Sequence, residues 1–156
     1  MNVNKKLSSK MSIHIRKAKK KDWHILLDWA NDPVVRSSGF SSKIISEKNH
    51  KKWLNFRIKD IENCKFYIAE TNDGLPIGQV RLDKKKNKWY INFSLAEFAR
   101  GYKLAAVLLQ KVIDEFDYTK KTEFVAVVKK GNIPSSRTFK RIGFKKKHTF
   151  KNKNIY

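Results

Sequence analysis

The stretch Trp89–Gln110, WYINFSLAEFARGYKLAAVLLQ, decides how the rest of the chain is read. Tyr90, Ile91 and Phe93 supply the aromatic and β-branched content of a strand. Ala99-Arg100-Gly101-Tyr102-Lys103 interrupts that pattern. Leu104, Val107, Leu108, Lys111 and Val112 then follow at spacings of three and four, which predicts a helix with one mostly apolar face. A strand that feeds a glycine-containing loop into a helix N-terminus gathers backbone N–H groups that have no partner inside the helix. The helix dipole adds partial positive charge there, and Arg100 and Lys103 add more. A phosphate-bearing cofactor is expected at this point.

Working outward, the upstream segments read as alternating helix and strand. Ile13 and Ile15 alternate with His14 and Arg16, as in a strand. Asp22 is placed to cap a helix whose apolar face is Trp23, Leu26, Leu27 and Ala30. Asn31-Asp32-Pro33 ends that helix, and Val34–Arg36 suits a short turn. Ser46 is the expected N-cap of a helix running to Lys59, with Trp53, Leu54 and Ile58 inward. Lys65–Glu70, Pro76–Leu82 and Trp89–Leu95 form an antiparallel meander, punctuated by Asn72-Asp73-Gly74 and by the lysine-rich turn Asp83–Lys88. Downstream, the central helix is expected to last to Phe116, Glu123–Val128 reads as an interior strand, and Asn132–Ile142 as a helix ended by Gly143. Phe144–Tyr156 offers one or two edge strands. The sum is one mixed α/β domain over residues 12–156, preceded by a disordered leader over 1–11, with Met1 and Met11 both candidate starts.

Composition narrows the partners. With 40% hydrophobic and 12% aromatic residues, a packed core outweighs the disorder that 32% charged residues would otherwise suggest. A net charge of +22 points to polyanions, yet the lysines are spread through every segment, as generic solubility would also produce. Cys64 is the single cysteine, which excludes an internal disulfide, and its place at the start of an apolar strand marks a buried thiol. The four histidines are scattered, so no metal site is expected. No apolar run has the length of a membrane span and no secretory signal is present, so the expected compartment is the cytoplasm.

Two motifs and the element order together resemble the GNAT superfamily of acyl-CoA-dependent N-acetyltransferases, over roughly Ile13 to Lys147. The family's loop Arg/Gln-x-x-Gly-x-Gly/Ala stands here as Arg100-Gly101-Tyr102-Lys103-Leu104-Ala105, with Lys103 in place of the interior glycine. The later Asn-x-x-Ser followed by Gly-Phe stands as Asn132-Ile133-Pro134-Ser135 and Gly143-Phe144. The resemblance implies a mostly antiparallel twisted sheet flanked by helices, with a splayed strand pair holding acyl-CoA. Acetyl-CoA would be the cosubstrate. Its pyrophosphate would lie over the amides of Tyr102, Lys103, Leu104 and Ala105, with Arg100 and Gly101 also binding the cofactor. Its pantetheine arm would pair with the edge of Asn92–Leu95, touching Phe93, Ser94 and Leu95, and Asn132 would hydrogen-bond the arm.

The implied reaction is attack of a neutral amine on a thioester. It needs a base, a donor for the developing oxyanion, and an acid for the leaving thiolate. The tyrosine that many family members place one turn before Gly-Phe is Phe139 here, so Ser135 is the candidate acid; it reads equally well as a first-turn hydroxyl of its helix. Tyr90 and Tyr102 are further candidates. For the base, Glu70, Glu97 and His50 stand open beside a water chain. Trp29-Ala30-Asn31-Asp32-Pro33-Val34-Val35-Arg36, with His50-Lys51-Lys52-Trp53 and Ile77–Arg81, resembles the branch that acetylates the 4-amino group of nucleotide-linked aminosugars, as in pseudaminic acid synthesis. On that reading Arg36 and Arg81 grip a diphosphate, Trp53 or Phe40 stacks on a base or sugar, and Asn31 and His50 complete the acceptor site. Ordinary core packing is the alternative for each tryptophan. Rim-type protein N-acetyltransferases share the fold and the Asn-x-x-Ser variant, and form the second hypothesis. A basic nucleic-acid-binding module is the third, without a recognition motif to support it. Homodimer formation stays open.

Overall fold

The computed structural model describes residues 7–8, 11–116 and 122–156, so most of the expected leader lies outside the described residues. The elements are β1 (Ile13–Lys17), α1 (Trp23–Asn31), α2 (Pro33–Ser38), α3 (Glu47–Lys59), β2 (Cys64–Thr71), β3 (Pro76–Lys85), β4 (Lys88–Leu95), α4 (Leu104–Asp114), β5 (Glu123–Lys129), α5 (Ile133–Arg141), β6 (His148–Phe150) and β7 (Lys153–Ile155). They build a mixed α/β domain on one sheet of order β1-β2-β3-β4-β5-β7-β6. Every neighbouring pair is antiparallel except β4 with β5.

The strands' alternation assigns the two faces. Phe66 and Ile68 of β2 pack with Leu26 and Leu54, under α1 and α3. Ala69, Val80, Leu82 and Ile91 pack with Leu104, Leu108, Leu109 and Val112 of α4 on the other side. Leu108 is fully buried, worth roughly 2 kcal/mol on its own. Trp29 touches both clusters, at the edge where α1 leans over the sheet. Gly78 marks a close approach of β3 to β4: a Cβ there would stand 2.6 Å from the Ser94 carbonyl oxygen, so no larger residue fits without moving the strands.

Local departures from expectation have local causes. Val34–Arg36 is part of a six-residue helix, because Asp32 accepts from the N–H groups of Val34 (2.9 Å) and Val35 (3.1 Å) and Pro33 stands at the first helical position. Asp22 does not cap α1. Its carboxylate turns back to the Lys19 N–H (2.7 Å) and takes a bidentate bond from Arg16 (2.8 and 2.9 Å). The lysine-rich turn shrinks to Lys86-Asn87, with Lys86 in the left-handed region (φ 55°), since pairing continues to Lys85 and Lys88. The C-terminal hairpin is not wholly an edge: β7 pairs with β5 and leaves only β6 outermost.

Candidate active site

Pairing of β4 with β5 runs from Lys88–Glu123 to Ile91–Ala126 and stops. Beyond it β5 turns to β7, through Val127–Ile155 and Lys129–Lys153, while β4 continues to Leu95 paired with β3 only. The two parallel strands therefore splay at Asn92. The Ala96 N–H donates to the Ile77 carbonyl (2.9 Å), so antiparallel alternation turns the N–H and C=O of Phe93 and Leu95 toward the opened side. That is a strand edge inside the sheet with no neighbouring strand beyond Ile91, its Leu95 carbonyl taken by Arg100, and it can receive a peptide-like arm.

At the end of this edge the chain makes a short 3-10 turn over Glu97–Ala99 and enters α4 through Gly101 (φ 85°) and Lys103 (φ 61°, ψ 15°). Lys103 adopts the left-handed conformation that glycine favours, at a cost of about 1 kcal/mol. Its side chain is exposed, as is that of Tyr102. No side chain caps α4, so the amides of Leu104 and Ala105 are left to an external acceptor. A groove of about 500 Å³ runs on from there between α4 and α5, lined by Ala106, Val107, Gln110, Lys111, Asp114, Arg141 and Ile142. The loop, the groove and the open strand edge fit a phosphate-bearing molecule with an extended amide arm.

Arg100 departs from the part foreseen for it. Its Nη2 lies 2.9 Å from Asp32 Oδ1, and Nε and Nη2 donate to the Leu95 carbonyl at 3.3 and 3.2 Å. The guanidinium is a strut between the α1–α2 junction and the end of β4, not a cation waiting for phosphate. Burial raises the Asp32 pKa, but the Val35 N–H and Arg100 outweigh it and hold the carboxyl below its usual range.

On α5, Asn132 Oδ1 accepts from the Ser135 N–H (3.2 Å) as N-cap, which leaves the Asn132 amide donors out of the cap. Ser135 is half-buried in the first turn. Phe139 is buried, edge-on to Phe93 of the open strand (5.6 Å between centroids) and stacked with Tyr156 (6.2 Å). Tyr156 thus brings a second hydroxyl-bearing side chain to this wall, from a residue that sequence spacing could not connect to it.

Several acceptor-side candidates turn out to be structural. Asn31 spends its amide on the Ile45 backbone, donating to its carbonyl (2.9 Å) and accepting from its N–H (2.8 Å). Arg36 Nη1 donates to the Lys43 carbonyl (3.0 Å). Arg81 pairs with Asp83 (2.9 Å), shares it with Arg57 (3.3 Å), and stacks over Trp53 (4.9 Å). Trp53 packs on Phe66 and His50. His50 is only 2% exposed, and burial lowers its pKa against the opposing hydrogen bond to the Trp23 backbone. Glu70 is held by Arg16 at 2.7 Å, because β1 and β2 align His14 with Glu70 and set Arg16 beside it. Glu70 is therefore not a free base, whereas His50 Nε2 is buried and has no partner among the described residues. Glu97 is exposed on the turn after β4. Phe40 keeps an exposed ring with the Lys153 ammonium 4.7 Å above it, and Lys129 donates to the Ser37 carbonyl (3.0 Å). Cys64 is buried, and burial together with the Asp83 charge pushes its thiol up to about 11, so it is no nucleophile.

The residues missed in the sequence are Asp32, Gln79, Asn92, Lys129 and Tyr156. Only Asp32 carried a local signal: aspartate directly before a proline is a capping signature. Among the described residues no His/Cys/Asp/Glu cluster could hold a metal ion, and no helix is long and apolar enough to cross a membrane.

The fold is similar to that of spermidine N-acetyltransferase from Vibrio cholerae in complex with CoA and spermine (TM-score 0.79, 15% identity, 92% of this chain and 91% of that one). It is similar as well to the aminoglycoside acetyltransferase AAC(6')-Ib in complex with coenzyme A (TM-score 0.78, 16% identity, 93% and 94%). Ribosomal-protein-alanine N-acetyltransferase from Brucella melitensis superposes too (TM-score 0.76, 22% identity, 91% and 95%). No curated protein matches the sequence. The family model described as "Acetyltransferase (GNAT) domain" matches residues 12–145. With the splayed strands, the glycine-lysine loop and the uncapped α4 in place, that match makes the chain a member of the GNAT acetyltransferase family, an acetyl-CoA-dependent N-acetyltransferase.

Proposed function

We propose that the acceptor is a primary amine on an anionic molecule, with the 4-amino group of a nucleotide-linked aminosugar as the favoured case. The observation that carries this reading is charge. The chain carries +22, and the cations around the acceptor side are Lys129 and Lys153, set beside the exposed ring of Phe40. Spermidine and aminoglycosides are polycations, which such a rim repels. A diphosphate is attracted, and the Phe40 ring offers a face for a base or sugar. This takes Arg81, ion-paired with Asp83, out of the phosphate contacts and adds lysines on β5 and β7 to Arg36, whose guanidinium, like the Lys129 ammonium, meets only a backbone carbonyl.

Acetyl-CoA supplies an acetyl thioester. The amides of Leu104 and Ala105 would hold its pyrophosphate, with Lys103 close enough in sequence to add a charge, and Lys111 and Arg141 in the α4–α5 groove would suit its nucleotide end. Phe93 and Leu95 would pair with its arm along the open edge, joined by the Asn132 amide. The amine nitrogen uses its lone pair to form the new C–N bond while the C–S bond breaks. The amine proton leaves to solvent, directly or through Glu97, and the thiolate takes a proton from Ser135 or Tyr156.

The test is thiol release from acetyl-CoA by purified protein, with UDP-linked 4-aminosugars, spermidine, kanamycin and N-terminal peptides as competing acceptors. The highest kcat/KM is expected for a UDP-aminosugar, falling with added salt. Preference for spermidine or kanamycin would overturn the charge argument. Preference for peptides would replace the sugar by a protein N-terminus.

A further inference from the structure

Gln79 of β3 lies opposite Ser94 of β4, and Arg81 lies opposite Asn92, so these four side chains share the face covered by α1 and α3. Gln79 is 7% exposed and Ser94 8%. Gln79 Nε2 donates to Asn92 Oδ1 (3.0 Å) and to Ser94 Oγ (3.2 Å), which uses both of its N–H groups. Gln79 Oε1 is buried and has no partner among the described residues. A buried carbonyl oxygen left unpaired is unfavourable, and an aliphatic side chain would fill the same strand position without that penalty, as Ile68 does across from it on β2.

Its position says what would satisfy it. Asn92 and Ser94 belong to the stretch of β4 beyond Ile91, where pairing with β5 has ended. On the acetyl-transfer reading, on which this step rests, the thioester lies along that edge and the attacking nitrogen beside it. We infer that Gln79 Oε1 accepts a hydrogen bond from the acceptor amine, so that Gln79 orients the amine and distinguishes it from a hydroxyl in the same place. The amide oxygen is too weak a base to take the proton. It directs one N–H and thereby points the nitrogen lone pair at the carbonyl carbon. Asn92 Oδ1 holds the amide in that orientation, since turning it over would set Oε1 against another acceptor, while the Ser94 hydroxyl can meet either atom.

The test compares wild type with Gln79→Met, which keeps length and removes both polar atoms, and Gln79→Glu, which keeps an acceptor and removes the donors. Binding of a UDP-linked 4-aminosugar and of its 4-hydroxy counterpart is measured by calorimetry on protein saturated with CoA, so that turnover is not required. Wild type is expected to favour the amine. Gln79→Met should weaken amine binding about tenfold or more, erase the preference, and leave acetyl-CoA affinity unchanged. Gln79→Glu should restore amine binding. Equal behaviour of the Met and Glu variants would overturn the assignment, as would a wild type with no preference for the amine. Turnover is followed separately: a wild type that binds the amine selectively but releases no thiol would refute the catalytic reading while leaving the Gln79 contact established.

Discussion

Replacing Arg100 by alanine separates two roles for a residue at the heart of the cofactor loop. In the structure its guanidinium makes an ion pair with Asp32 (2.9 Å) and two longer bonds to the Leu95 carbonyl (3.2 and 3.3 Å). The side chains are 27% and 17% exposed, so solvent screens the pair only in part. Asp32 keeps its two bonds from Val34 and Val35 in the mutant, and α2 keeps its cap. The loss is therefore one partly buried ion pair and one charge-assisted bond to a neutral acceptor, together about 2 kcal/mol. For a chain of this size that lowers Tm by roughly 4–8 °C. Asp32→Asn should lose a similar amount, and the double variant little more than either, because both remove the same strut. Circular dichroism melts of the three variants give these numbers, and calorimetric titration with acetyl-CoA at low and high salt gives the second readout. Arg100→Ala should bind acetyl-CoA nearly as well as wild type. An unchanged Tm with a salt-sensitive, tenfold loss of acetyl-CoA affinity would refute the strut and make Arg100 a phosphate ligand.

Lys103→Gly removes a left-handed β-carbon worth about 1–2 kcal/mol and adds about 0.5–1 kcal/mol of backbone entropy, so Tm should rise slightly with acetyl-CoA affinity kept; a marked loss of affinity would mean that the ammonium holds a phosphate. Of Ser135→Ala and Tyr156→Phe, the one that removes the proton donor should lower kcat about 100-fold at unchanged acetyl-CoA KM, and if neither does, solvent protonates the thiolate. His50 has its pKa lowered by burial, so the unfolded chain takes up its proton near pH 6.5 while the folded chain still resists. Its contribution is thus complete above about pH 6.5 and declines as pH falls toward the depressed folded value; urea melts of His50→Gln should show a flatter pH dependence there, and an identical slope would count against it.

Much of the fold follows from local chemistry. The three and four spacing from Leu104 to Val112, the alternation in Ile13–Arg16, and the turn residues of Asn72-Asp73-Gly74 each specify their element whatever the rest of the chain does. The element order with the Arg100–Ala105 and Asn132–Ser135 motifs was enough to indicate the acetyltransferase family and acetyl-CoA. Lys103 stands in the family's glycine position, and only its torsion angles show that it takes the left-handed conformation glycine favours.

The acceptor side was not legible, for a physical reason. A polar residue serves the site or the scaffold according to which partner stands next to it, and those partners are distant in sequence. Glu70 is neutralised by Arg16 across a strand pair, Arg81 by Asp83 and Arg57, and Asn31 by a backbone fourteen residues on. Gln79, unremarked within a strand, acquires its unpaired oxygen only when β3 and β4 align it with Asn92 and Ser94. Period and propensity, properties of neighbours along the chain, determined the elements and the family; which side chains remain free for chemistry was decided by the register of β1 through β5, because long-range pairing alone sets who satisfies whom.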